Sequence, residues 1–233
     1  MGVTPEIPYP RTRIRWNPAY RAIPTRFPAV NLFDRVASPE DFDALYALEA
    51  MTNDRLRDEV GEIELVAPEE RLYGPGSGPI MAAFTHLNPL GSRFSDGSYG
   101  VFYAGRDKAT AIGESRYHAA RFMAATDQGP MRLQYRLYTV RAAGEVVDLR
   151  AACRTEPEIC DPDGYAYSQA VGRRLRLAGA NGVVYPSVRH AGGQCLAAFR
   201  PRLLKNCVHA AHLEYQWDGA AIRDVYELTR LPS

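Results

Sequence analysis

Residues 131–138 alternate strictly, with Met131, Leu133, Tyr135 and Leu137 set against Arg132, Gln134, Arg136 and Tyr138. A period of two over eight residues is a half-buried β-strand. The elements around it do not follow a βαβ rhythm. An apolar, aromatic strand at 99–105 runs straight into a helix capped by Asp107, with Ala109, Ile112, Ala119, Ala120 and Met123 on one face. After the alternating strand, "AAGEVVDL" supplies a turn and another strand. "YAYSQAVGRRLRLAG" reads as a helix stopped by Gly179, and "HLEYQW" and "IRDVYELTR" pair across a turn at Asp218-Gly219. Strands and helices mixed in this way point to α+β rather than to a doubly wound parallel sheet.

A second helix is expected from Ser38, where Ser38 caps, Pro39 takes the first turn, Asp41 completes a capping-box-like pattern, and Phe42, Leu45 and Leu48 repeat at helical spacing. The first thirty residues hold six of the seventeen prolines and five arginines. Proline blocks helix and ladder bonding, so residues 1–30 read as an extended arm and residues 31–233 as one domain. "YGPGSGP", at 73–79, lacks the flanking strand and helix of a phosphate-cradling loop and reads as a flexible surface loop.

The net charge of +1 offers no general field for nucleic acid. No apolar h-region opens the chain, Glu6 stands where myristoylation requires Ser or Thr, and no stretch approaches a membrane span. A soluble cytoplasmic protein is expected, with Cys153, Cys160, Cys195 and Cys207 as reduced structural thiols. No HExxH or CxxC occurs and no metal is expected; "DPDG" at 161–164 is a turn before a helix rather than a calcium loop.

"GVVYPSVRHAGGQCLAAF", residues 182–199, is two apolar strands around a polar tip carrying Ser187, Arg189 and His190. No G-x-S-x-G surrounds the serine. Other reactive groups also sit at the edges of apolar elements: Arg93 in the turn "GSRFSDG", Tyr103 near the end of its strand, and Glu114 on the following helix beside Thr110, His118 and Arg121. Each alone has an ordinary structural reading: a turn arginine, a core tyrosine, a solvated glutamate with His118 at i+4.

Together, in this order, "GSRFSDGSYGVFYAGRDKATAIGES" and "GANGVVYPSVRHAGGQCLAAFRP" resemble the RES domain, named for its arginine, glutamate and serine, over about residues 32–201. The resemblance implies an ADP-ribosyltransferase-like fold and a toxin of a bacterial toxin–antitoxin pair, with an Xre-like antitoxin covering the active site. It implies NAD+ as substrate, cleaved at the nicotinamide–ribose bond. Glu114 would stabilise the oxocarbenium-like transition state, Arg93 would grip phosphate oxygens, and Tyr103 would stack on nicotinamide. Ser187 would lie close to the ribose or the acceptor. Arg35, in "LFDRVA", matches an arginine near the start of the family domain and would be a second phosphate ligand. Arg189 and His190 face either the pocket or a wet turn. The acceptor is inorganic phosphate, water or a protein side chain, so NAD+ depletion and mono-ADP-ribosylation of one protein both stand, beside a third possibility, a nucleotide- or partner-binding module without turnover. Position 112 is isoleucine, so the Q/E-x-E pattern of arginine-directed transferases is absent.

Overall fold

A computed structural model describes residues 6–27, 32–35, 38–40 and 61–229. Its centre is a seven-stranded sheet in the order β1-β2-β5-β4-β3-β6-β7, with β1 Arg11–Pro24, β2 Phe102–Gly105, β3 Met131–Asp148, β4 Gly182–Pro186, β5 Gln194–Ala198, β6 Leu204–Trp217 and β7 Ile222–Leu228. The α-helices among the described residues are α1 Leu32–Arg35, α2 Gly78–Thr85, α3 Lys108–Ala124, α4 Ala152–Thr155 and α5 Ala166–Leu177. The α+β architecture expected from the mixed pattern is the one observed. The helix expected from Ser38 onward lies, past residue 40, outside the described residues.

β3 organises the molecule. One edge pairs with β1 from Tyr135 to Val147, and the other pairs with β6 and then, at Val147 and Asp148, in parallel with β4. Because β1 also meets β2 at Tyr20 and Gly105, the strands β1, β2, β5, β4 and β3 close into a ring. The expected turn inside "AAGEVVDL" does not form; Gly144, at φ +150°, lets the strand run on for 18 residues.

β1 corrects the sequence reading of an arm at residues 1–30. Residues 11–24 are extended, as expected, but they are a strand of the sheet, laddered to β3 on both sides of Asn17 and Pro18. The strand accommodates its internal proline at a register shift between Trp16 and Ala19, where a ladder bond is dispensable. Ile14, Trp16 and Ala19 are buried beneath it.

Both faces of β3 are covered, at different points along its length. Tyr135 and Leu137 pack under α3 with Ala119, Met123, Tyr215 and Trp217, and the Tyr135 and Tyr215 rings stack at 4.3 Å. Tyr138, Val140, Ala142 and Val146 face the opposite core with Trp16, Phe33, Met81 and Leu196. Burying one such aliphatic side chain contributes about 1.5–3 kcal/mol. A third cluster, with Phe94, Ile159, Val171, Leu175 and Val183, lies under α5. That helix ends as expected, with Gly179 at φ +80°.

Two further expectations are overturned. The glycine-rich 73–79 segment is not a flexible surface loop: Ser77 and Gly78 are buried, α2 starts there, and Asp34 accepts the Gly78 N–H at 2.6 Å. A Cβ on Gly76 would come within 2.9 Å of the Cys207 amide nitrogen, so only glycine fits that approach. Cys153 and Cys160 are joined in a disulfide rather than reduced, because consecutive helical turns bring their Cα atoms to 5.6 Å. Cys195 and Cys207 are free and buried. No helix of the described residues is long and apolar enough to cross a membrane.

Candidate active site

A cleft of about 550 Å³ opens between α3, the end of β1 and the loop before β2. Glu114 stands on its α3 wall. The helix is set in place by its Asp107 cap, which accepts the Thr110 N–H at 2.7 Å. It is tied down by the Ser115 hydroxyl on the Tyr215 phenol at 2.6 Å and by Arg116 on the Ile222 carbonyl.

The tip of the β4–β5 hairpin is built around Glu114. The Ser187 hydroxyl donates to Glu114 Oε1 at 2.6 Å, and the Val188 N–H donates to the same oxygen at 3.1 Å. Ser187 Oγ in turn accepts the backbone N–H groups of Arg189 and His190, at 3.2 and 3.0 Å. One hydroxyl therefore folds the turn and holds the carboxylate. Ser187 itself is not among the cleft-lining residues. Nor are Arg189 and His190: Arg189 lies over the Tyr117 ring at 3.2 Å and donates to the Pro162 carbonyl, while His190 Nδ1 meets Thr110 Oγ1 at 3.0 Å. The polar tip thus packs on α3 rather than forming the cleft wall itself.

Arg93 is buried, 6% exposed, and lines the cleft. Its Nη1 donates to the carbonyls of Asp161 (2.7 Å) and Ile159 (3.4 Å), and its guanidinium rests 4.7 Å from the Tyr165 ring centre. The expected turn at 161–164 carries this cradle, closed by Asp161 Oδ1 on the Asp163 and Gly164 N–H groups. Tyr103 also lines the cleft. Its phenol accepts the Phe94 N–H and pairs with the Ser92 hydroxyl, both at 2.9 Å. Burial pushes its pKa up to about 12 against the opposing pull of those bonds and of Arg93, so the phenol is neutral.

The structure adds residues that sequence reasoning missed. Arg21, on β1, points its guanidinium at the Phe102 ring (4.4 Å) and donates to the Tyr103 carbonyl at 3.2 Å. Its Nε is buried with no partner. Burial draws its pKa down to about 10, which leaves it charged at neutral pH. The signal was there in Ile14, Trp16 and Ala19, an apolar alternation shifted by one at Pro18, but the proline count outweighed it. Arg35 closes α1, no described residue of α1 lines the cleft, and its side chain lies outside the described residues. His118, one turn after Glu114, lines the cleft as well, with Tyr185 and Cys195 on the floor. Burial raises the Tyr185 phenol and the Cys195 thiol well above their ordinary values. A thiol held protonated beside Glu114 is no nucleophile.

The cleft therefore presents one anchored carboxylate, two desolvated guanidinium groups and neutral aromatic rings. That set is suited to a ligand that carries both phosphates and a planar cation. Among the described residues no three His, Cys, Asp or Glu side chains gather to hold a metal ion.

Uncharacterized protein y4oC of Sinorhizobium fredii (strain NBRC 101917 / NGR234) is 29% identical over 216 residues, covering 89% of this chain and 86% of that protein. A solved structure, the crystal structure of the M. tuberculosis MbcT-MbcA toxin-antitoxin complex, aligns over 93% of this chain and 87% of the matched chain, at 16% identity and a TM-score of 0.44. The family model for the RES domain matches residues 69–218. The span starts later than the resemblance suggested, and it holds Arg93, Tyr103, Glu114, Ser187 and Arg189 but not Arg35. With more than half of its length matched, the chain belongs to the RES domain family.

Proposed function

We propose that the protein cleaves NAD+ at the nicotinamide–ribose bond, and that it is the toxin of a toxin–antitoxin pair whose antitoxin covers the cleft. The observation that carries the catalytic part is the anchored Glu114: the hydrogen bonds from Ser187, Val188 and the Cys195 thiol all arrive at Oε1, which leaves Oε2 for the substrate. The toxin part rests on membership of the RES domain family.

In this reading the substrate's nicotinamide is a cation that leaves as a neutral ring, and the ribose takes on positive charge. A fixed carboxylate stabilises that charge without reorganising and grips a ribose hydroxyl. Ser187 is a positioning residue for Glu114. Arg21 takes the phosphate role expected of Arg35, and works with Arg93, whose Nη2 and Nε are not used by the Ile159 and Asp161 carbonyls. Nicotinamide packs on the Tyr103 ring, whose plane is fixed by its bonds to Ser92 and Phe94.

The test is incubation of purified protein with NAD+, with and without inorganic phosphate, and identification of products by mass. Free nicotinamide with ADP-ribose-1″-phosphate or ADP-ribose is expected, and Glu114→Gln should slow their release by orders of magnitude. Intact NAD+ in both conditions, with no ADP-ribosylated protein in a lysate, would overturn the catalytic reading. A single labelled protein would keep the bond cleaved and move the acceptor to a side chain. Growth arrest on expression, relieved by a co-expressed partner that blocks NAD+ access, tests the toxin reading.

A further inference from the structure

A second cavity, of about 310 Å³, lies beside the cleft, behind the C-terminal half of α3 and against β3 and the end of β1. The two share Ala22, Ser115, His118 and Phe122. Of these, Ala22 and Phe122 have no side-chain proton acceptor, and the Ser115 hydroxyl is engaged with Tyr215 and the backbone of α3. The His118 ring nitrogens take part in no hydrogen bond among the described residues. His118 also stands one helical turn from Glu114, about 6 Å along the axis.

Resting on the NAD+ reading, we infer that the side cavity admits the acceptor and that His118 is the general base that takes its proton. The cavity wall suits that role. It holds Arg26, stacked 4.0 Å over Phe122, and Arg132, whose Nε pairs with Glu214 at 3.5 Å from outside the lining, and no carboxylate lines the cavity itself. A polar or anionic acceptor thus approaches the ribose by a different path from the cleft that holds NAD+. The acceptor O–H gives its proton to an imidazole nitrogen, and the oxygen lone pair forms the bond to the anomeric carbon. The C–N glycosidic bond breaks with its electron pair going to the nicotinamide nitrogen, which neutralises the pyridinium.

His118 is in the right form to act. The side chain still reaches solvent, but its partial desolvation, the largest cause, holds its pKa below the ordinary imidazole value. Glu114 pulls it up from the same helix, while Arg121 on α3, Arg93 from the loop and Arg189 from the hairpin push it down. Arg21 faces the same cleft, and Arg26 and Arg132 the side cavity. The imidazole is therefore neutral at pH 7 and able to accept a proton.

The experiment follows nicotinamide release from pH 5 to 9, with and without phosphate, for the parent, Glu114→Gln, His118→Asn and His118→Ala. The expected result for His118→Asn is a fall in kcat of about 10²-fold or more with the KM for NAD+ little changed, the usual scale for loss of a general base. The parent's acid limb, where rate falls as His118 protonates below pH 6.5, should vanish in that variant. Added imidazole should restore part of the His118→Ala rate. Thr25→Trp, which fills the side cavity from a position outside the cleft lining, should slow turnover at the same KM for NAD+. Release that Glu114→Gln cuts by orders of magnitude but His118→Asn leaves intact, acid limb included, overturns this inference and spares the NAD+ reading. A parent that releases no nicotinamide under any condition overturns both.

Discussion

Ser187→Ala separates two ways in which the serine of this site can matter. In the structure its hydroxyl donates to Glu114 Oε1 at 2.6 Å and accepts two backbone N–H groups of its own turn. Removing it deletes one charge-assisted hydrogen bond, worth about 1.5–3 kcal/mol, and leaves the carboxylate on the Val188 N–H and the weak Cys195 thiol donor. If the bond acts by holding Glu114 for the transition state, that range corresponds to a loss of roughly 10- to 150-fold in kcat. The turn is only partly buried, so water replaces Oγ at the two freed N–H groups, and stability should fall by only about 1–2 kcal/mol. Nicotinamide release by the parent, Ser187→Ala, Glu114→Gln and the double variant forms a thermodynamic cycle. A serine that works through the carboxylate has nothing left to do once the charge is gone, so in the Glu114→Gln background its removal should cost less than about 3-fold. Equal losses in both backgrounds would mean that Ser187 meets the substrate directly, and the positioning argument would be refuted.

Arg21→Met should melt no lower than the parent, because it removes a desolvated cation with an unpartnered Nε, yet raise the KM for NAD+ at least tenfold. A clear loss of stability with unchanged KM would reduce Arg21 to a packing residue. Gly172→Ala would bring a Cβ within 2.3 Å of the Phe94 carbonyl oxygen; overpacking of this kind costs about 1–3 kcal/mol, and denaturant melting at parent stability would contradict it. Replacing Cys153 and Cys160 by serine should lower stability by about 2–3 kcal/mol, the entropy of a loop this short. It should also raise the KM for NAD+, since the carbonyls on either side of Cys160 hold Arg93. The parent in dithiothreitol should behave the same way, and indifference of KM to both treatments would disconnect the bond from the cleft.

Local chemistry determined much of this protein. The strand at 131–138, the Asp107 cap, the Gly179 stop and the hairpin of 182–199 each rest on forces between residues near in sequence and each formed, although at the ends of the alternation Met131 is exposed and Tyr138 is buried in the opposite core. Arg93, Tyr103 and Glu114 could also be named from the sequence, because each stands in or beside such an element, and all three line one cleft. What only the tertiary structure decided depends on partners distant along the chain. β1 is a strand because β3 offers it a ladder more than a hundred residues away, a contribution that outweighs its prolines and brings Arg21 to the cleft. Ser187 holds Glu114 across 73 residues, and the carbonyls of Ile159 and Asp161, flanking Cys160, hold Arg93 from 66 and 68 residues away. Sequence proximity selects which residues carry the chemistry; long-range packing and desolvation decide which of them face the ligand and which hold the others in place.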